Sequence, residues 1–184
     1  MSKPAVAEPV KLAVSVLYTD DSLLMDVLKK LSDQYGCVDF VSQVMSFNYT
    51  RYYEKEMGDV LKRRFVFFEK SMRPESLPDV KLFCNRIEEK SSLGGMRRVN
   101  IDPGYISKAH LILATGKGYT HRPYLRDGIY ADLTLMYKNR GFCVLQWTYP
   151  DYAEKKIIEM FNKIREKYVQ QFRHEGRLAA TVVQ

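Results

Sequence analysis

"KLAVSVLYTDDSLL" (residues 11–24) decides the fold. Leu12, Ala13, Val14, Val16 and Leu17 leave almost no polar position in its first half. An apolar run that short and that rich in β-branched residues reads as a buried strand. Thr19, Asp20 and Asp21 then offer N-cap oxygens. Leu23, Leu24, Val27, Leu28 and Leu31 follow at helical spacing, and Gly36 supplies a stop. A buried strand that feeds directly into an amphipathic helix commits the chain to a mixed fold.

The pattern extends outward from there. "CVDFVSQVMSF" (37–47) reads as a second strand, with Val38, Phe40 and Val44 toward the core. "NYTRYYEKEMG" (48–58) reads as a loop with a short helix, and "RRFVFFEKSM" (63–72) as a third strand. In 74–92, Leu77, Val80, Phe83, Cys84 and Ile87 form one face of a second helix, which "LGG" (93–95) ends. "RRVNID" (97–102) is a short fourth strand. Alternation places Arg98, Asn100 and Asp102 on one face and Val99 and Ile101 on the other. Pro103-Gly104 fits the centre of a type II turn. "SKAHLILAT" (107–115) suits either a short helix capped by Ser107 or a strand. "IYADLTLMY" (129–137) and "FCVLQWTY" (142–149) flank "KNRG", a hairpin signal. Ile157, Ile158, Phe161, Ile164, Tyr168 and Phe172 form the stripe of a terminal helix.

The expected architecture is therefore one α+β domain over residues 10–174. It has a largely antiparallel sheet in βαββαβ (ferredoxin-like) order, then a β-hairpin and a C-terminal helix. Residues 1–9, with two prolines, are expected to form a flexible arm, and residues 175–184 a tail outside the apolar stripe. A chain of 184 residues is long enough for one full core. No apolar run approaches the roughly 18 residues of a membrane span, and the start has no signal-peptide core. Cys37, Cys84 and Cys143 show no CxxC spacing, so reduced thiols and a cytoplasmic location are expected. A net charge of +7 favours anionic partners: nucleotides, phosphorylated metabolites or RNA.

No standard catalytic motif is complete. "ATGKGYTHR" (114–122) has Gly116-Lys117 but lacks the upstream glycine and following hydroxyl of a P-loop. What stands out is polar density between Arg97 and Asp151. Arg97, Arg98, Asn100, Asp102 and Lys108 form one cluster, and Lys117, His121, Arg122 and Tyr124 a second. Asp132 and Thr134 share a strand face, and Trp147 opens "WTYPDY". Arginines and lysines would grip phosphate, Asp102 and Asp132 could hold one Mg²⁺, and aromatics could stack a base. His121 would be the general acid or base, with Asp102 beside it. Each cluster also has a plain structural explanation. Asp102 suits a turn, Arg97-Arg98 a solvated strand end, His121-Arg122 a surface pair, and Asp151 an N-cap. Tyr49, Tyr52 and Tyr53 among basic residues could instead grip RNA.

"YYEKEMG", "KLFCNRIEEK", "RRVNIDPGYISKAHLILATGKGYTHRPYLRDGIYADLTLMYKNRGF" and "WTYPDY" together resemble a bacterial family of uncharacterised proteins, a domain of unknown function sometimes labelled GTP-binding. The resemblance implies a cytoplasmic domain and brings no established activity. The family's HR-x-YL-x-x-GIYA-x-x-TL pattern matches His121, Arg122, Tyr124, Leu125, Gly128 to Ala131, Thr134 and Leu135. Pro123 and Asp132 depart from its more usual Ile and Glu. The sequence lacks the Asn-Lys-x-Asp element of GTPases. The leading expectation is binding, with turnover open, of a nucleotide or phosphorylated small molecule with a divalent metal. The alternatives are an RNA-binding or ribosome-associated module and a non-catalytic partner-binding domain.

Overall fold

The computed structural model describes residues 1–181, with side chains through Phe172. Strand β1 (Val10–Tyr18) leads into helix α1 (Asp21–Tyr35). Strands β2 (Val38–Val41) and β3 (Met45–Phe47), the short helix α2 (Glu54–Met57) and the long strand β4 (Leu61–Met72) follow. Helix α3 (Leu77–Lys90) then precedes strands β5 (Val99–Ile106), β6 (His110–Thr115), β7 (Tyr124–Arg126), β8 (Ile129–Lys138) and β9 (Gly141–Val144). Helix α4 (Lys155–Thr181) ends the described chain. The tail expected from Glu175 falls partly in residues 182–184, outside the described residues.

The nine strands form one sheet in the order β2-β4-β1-β5-β6-β8-β7, with β3 also on β4 and β9 also on β8. Every pairing is antiparallel. This is the α+β class the strand and helix patterns predict. The sheet continues through β6, β8 and β7, beyond the four strands of a βαββαβ unit.

Strand β1 is buried along its whole length because both sheet faces are covered. Leu12, Val14, Val16 and Tyr18 pack under α1 and α3, against Leu24, Val27, Leu31, Val80 and Cys84. Ala13 faces the other way, into a core with Phe65, Phe67, Phe161 and Ile164 that α4 covers. Each fully buried Val or Leu contributes about 1.5–3 kcal/mol. Lys11, 1% exposed on this strand, bonds to Asp39 at 2.7 Å and the Phe68 carbonyl at 2.8 Å. Helix α1 starts where expected: the Asp20 carboxylate accepts the Ser22 N–H at 2.7 Å. Gly36 ends it at φ +93°, in the left-handed region that favours glycine.

The structure corrects several expectations. The second strand, read over 37–47, is two: Ser42 interrupts it and bonds both backbone groups of Phe65. Within 107–115, His110–Thr115 form a strand, with Ser107 Oγ accepting the Ala109 and His110 N–H groups in the turn before it. "KNRG" makes the expected hairpin, with Asn139 and Arg140 at positive φ. A second hairpin, unforeseen, turns on Asp127-Gly128 between β7 and β8. The last strand stops at Val144, well short of Tyr149. Asp151 is no N-cap; its carboxylate receives the Arg63 guanidinium.

The largest correction concerns Pro103-Gly104. Strand β5 runs straight through both residues, paired with Val14 and Ala13 of β1. Ile101 turns its N–H and C=O to the outer edge of β5, toward α3. By strand alternation Pro103 turns its nitrogen the same way. Pairing with β6 starts only at Gly104–Leu113, so the proline forfeits no ladder bond. Gly104 is required for close approach and not for a turn. A Cβ there would lie 2.3 Å from the Ile112 carbonyl oxygen. Gly104→Ala should therefore destabilise the fold by about 1–3 kcal/mol through overpacking. Gly116→Ala, which meets nothing within 4 Å, should be nearly silent. Urea midpoints of the two variants check this; equal midpoints would refute it.

Candidate functional site

The sheet forks where β6 parts from β5. Among the described residues no strand covers the outer edge of β5 beyond Gly104 toward its N-terminus. Helix α3 closes it with side chains. Lys81 Nζ donates to the Ile101 carbonyl at 2.8 Å, and Glu88 Oε1 accepts the Ile101 N–H at 2.5 Å. Lys81 also reaches Asp102 at 3.3 Å. Asn100 Nδ2 donates to the other Asp102 oxygen at 2.7 Å, and Arg97 donates to Asn100 Oδ1 at 3.0 Å. Arg97 in turn pairs with Glu56 of α2 at 2.5 Å.

A cleft of about 500 Å³ occupies the fork. One tine contributes Asn100 and Asp102, and the other contributes Leu113 to Lys117 and Asp132. Phe47, Tyr49, Tyr52 and Tyr53 form an aromatic wall, and Tyr149 to Tyr152 close the remaining side. Four lining residues are cationic (Arg63, Lys81, Arg97, Lys117) and four are acidic (Glu88, Asp102, Asp132, Asp151). The cleft is charge-balanced, so the chain's net +7 is not concentrated there.

Asp102 and Asp132 thus meet in one cleft, together with Arg97, Asn100 and Lys117. The other expected residues stand outside its lining. Arg98 precedes β5, so strand alternation does not reach it; it sits 4.0 Å from Asp20 at the start of α1. Lys108 lies in the turn between β5 and β6 and pairs with Glu8 at 2.5 Å. Tyr124 is exposed on β7, against Tyr130. Thr134 is fully buried, its hydroxyl on the Asp132 carbonyl at 3.2 Å.

His121, Arg122 and Trp147 form a backing layer. Arg122 Nε donates to Asp132 at 2.8 Å and its Nη2 to the Tyr149 hydroxyl at 2.6 Å. His121 Nε2 lies 3.7 Å from Asp132, and its ring stacks on Trp147 at 4.8 Å. Trp147 Nε1 donates to the Leu133 carbonyl. Arg122 and His121 adjoin Asp132, Trp147 backs His121, and none of the three is among the residues that line the cleft. A catalytic His121 therefore has no geometric support.

The two carboxylates are not poised as a bare metal pair. Asp102 holds Lys81 and Asn100, and Asp132 holds Arg122. Among the described residues no group of three or more His, Cys, Asp or Glu could hold a metal ion. Sequence reasoning missed Lys81, Asn85 and Glu88, which sit at helical spacing on α3. It also missed Arg63, which is buried between the rings of Phe47, Phe65 and Tyr152 and bonded to Asp151.

Burial pushes the Glu88 carboxyl up to about 7, and Asp102 adds to this; Lys81, the Ile101 N–H and Arg97 act the other way. Lys81 is held above the ordinary lysine range. Burial opposes its charge, but Asp102 and Glu88 outweigh that effect.

Two outcomes follow. The folded chain binds a proton at Glu88 more tightly than the unfolded chain. That stability is full below about 4.5 and is lost as pH rises to about 7. It amounts to at most about 3 kcal/mol. Glu88→Gln should flatten the stability profile across this window; an unchanged slope in denaturation against pH would refute it. Asp151→Ala leaves Arg63 buried without its partner and should cost about 3 kcal/mol, whereas Arg63→Met with Asp151→Leu should recover much of it. A single-variant loss no larger than that of a surface ion pair would show that the pair is not buried.

Among the described residues no helix is long and apolar enough to cross a membrane. No curated protein and no solved structure matches the chain. One family model does match, over residues 8–168, which takes in every strand and all of the cleft lining. The chain belongs to that family, DUF4416, a domain of unknown function.

Proposed function

We propose that the cleft binds a small phosphorylated molecule of nucleotide type, with one anionic group and a planar ring. The observation that carries this reading is Lys117. Of the four lining cations, Arg63, Lys81 and Arg97 each hold a carboxylate. Among the described residues Lys117 holds none. Its ammonium bonds only to the Tyr52 hydroxyl, at 3.1 Å, and lies 4.4 Å above that ring. An incoming phosphate can take this ammonium without breaking an ion pair. The neighbouring tyrosines offer faces on which a base can stack. The cleft volume falls within the range of small-molecule sites.

Charge argues for a ligand with a single phosphate over a polyphosphate, which would find one unpaired ammonium and meet the carboxylates of Asp102, Asp132 and Asp151 at close range. A divalent ion would arrive with the ligand's phosphate, since Asp102 and Asp132 are already engaged. The reading is one of binding: among the described residues no side chains that line the cleft form a nucleophile–base pair.

Thermal-shift measurements with 5′-AMP, 5′-GMP, ribose 5-phosphate and inorganic phosphate, each with and without Mg²⁺, test it. At about 100 times its dissociation constant, a ligand should add ~2.7 kcal/mol. Lys117→Ala should weaken binding by about tenfold or more, the cost of a lost charge-assisted bond. No response to any of the four compounds, or retention of RNA alone, would overturn the proposal.

A further inference from the structure

Three of the four carboxyl groups in the cleft are bonded to a cation. Asp102 has Lys81, Asp132 has Arg122 and Asp151 has Arg63. Glu88 is the fourth, and among the described residues it makes no ion pair. It is 7% exposed, and the bond its side chain makes is the one from the Ile101 N–H to Oε1. Lys81 and Cys84 face it from its own helix, Asp102 from β5, and Arg97 from the segment before β5. The two cations are committed elsewhere. Lys81 is held by the Ile101 carbonyl and Asp102, and Arg97 by Glu56 and Asn100. An ionised carboxylate at this position would be buried without a partner, the costliest arrangement open to a charge. A neutral carboxylic acid avoids that cost and still accepts the Ile101 N–H through one oxygen. Its own O–H is then a donor on the wall of a ligand-sized cleft.

We propose that Glu88 is the hydrogen-bond donor of the cleft, a neutral carboxylic acid that pairs with an acceptor oxygen or nitrogen of the ligand, so that ligand binding and proton binding are linked at this residue. The assignment rests on the small-molecule reading of the cleft and names the other half of the ligand. The anionic group goes to Lys117, and an uncharged acceptor goes to Glu88. The two are the cation and the acid left without an ionic partner among the lining residues. Near neutrality the charged and neutral forms of Glu88 are close in free energy, because burial raises its pKa. One new acceptor therefore selects the protonated form, and the proton comes from solvent. Glutamine at this position keeps a donor but cannot titrate. Alanine removes the donor.

The full-length chain, Glu88→Gln and Glu88→Ala provide the test. In the ligand-free protein, the side-chain carboxyl resonance that disappears in Glu88→Gln should titrate well above the ordinary glutamate range. A midpoint in the ordinary range overturns the proposal. In calorimetry near neutral pH, in two buffers of different ionisation heat, 5′-AMP should bind with proton uptake. Glu88→Gln should retain that binding and lose the uptake. Glu88→Ala should weaken 5′-AMP by about tenfold, the cost of an unmade bond to a buried group. Ribose 5-phosphate, which lacks the base, should bind all three chains alike. Binding of 5′-AMP without proton uptake overturns the donor role alone. Failure of both probes to bind the wild-type chain, with the raised midpoint intact, overturns the small-molecule reading and the donor role with it.

Discussion

The backbone of Ile101 must be bonded on an edge that no strand reaches. A buried N–H or C=O without a partner costs as much as a lost hydrogen bond, so a sheet edge in the interior has to be finished by something. In this protein Lys81 and Glu88 of α3 finish it. That substitution opens the fork. A further strand against Val99–Asp102 would fill the space that the cleft occupies. The side chains that replace it bring charges with them, and the charges need partners in turn. Lys81 takes Asp102, Asp102 takes Asn100, Asn100 takes Arg97, and Arg97 takes Glu56. A single chain of bonds therefore runs from α3 through β5 to the segment that carries the aromatic wall.

Gly104 and Pro103 mark the position of the fork for different reasons. Gly104 lets β6 approach where any Cβ would strike the Ile112 carbonyl. Pro103 lacks the N–H that a strand partner on that edge would need. In sequence the pair looks like a turn, because both residues are the commonest turn formers. What distinguishes the two cases is the neighbouring chain, and a local pattern holds no record of it. The same limit explains Arg98. Alternation gives the right faces for Asn100 and Asp102, but it presumes that the strand has already begun at Arg98, and it has not.

Elements governed by their own periodicity were legible. Strand β1, helix α1, strand β4, helix α3 and the Asn139-Arg140 hairpin all follow from spacing and turn chemistry. The Asp127-Gly128 hairpin carries a turn signal in "RDGI", but β7 is only three residues long and too short to show a strand's alternation. Asp132 was legible as unusual, since aspartate is disfavoured inside strands and needs a compensating partner. Arg122 is that partner. Lys81 and Glu88 were not legible. On a helical wheel they belong to the boundary between the apolar and polar faces, where charged residues normally reach solvent. Only the missing strand on the other side turns that boundary inward.

On the proposed reading, the cleft's selectivity would come from which of its groups already have partners and not from a field. A strongly basic groove attracts any polyanion and discriminates poorly among them. This cleft has equal numbers of lining cations and carboxyl groups, and six of the eight are ion-paired, so an arriving charge finds most positions already taken. Ion-paired groups held by second partners lose little freedom when a ligand arrives, which favours a preorganised surface. The stability cost of burying those pairs is met by the two apolar cores on either side of β1. Recognition is left to the few groups whose valences remain open. On the proposed reading these are Lys117, just past the end of β6, and Glu88, held against β5 through the Ile101 N–H, so the fork between the two strands keeps them apart.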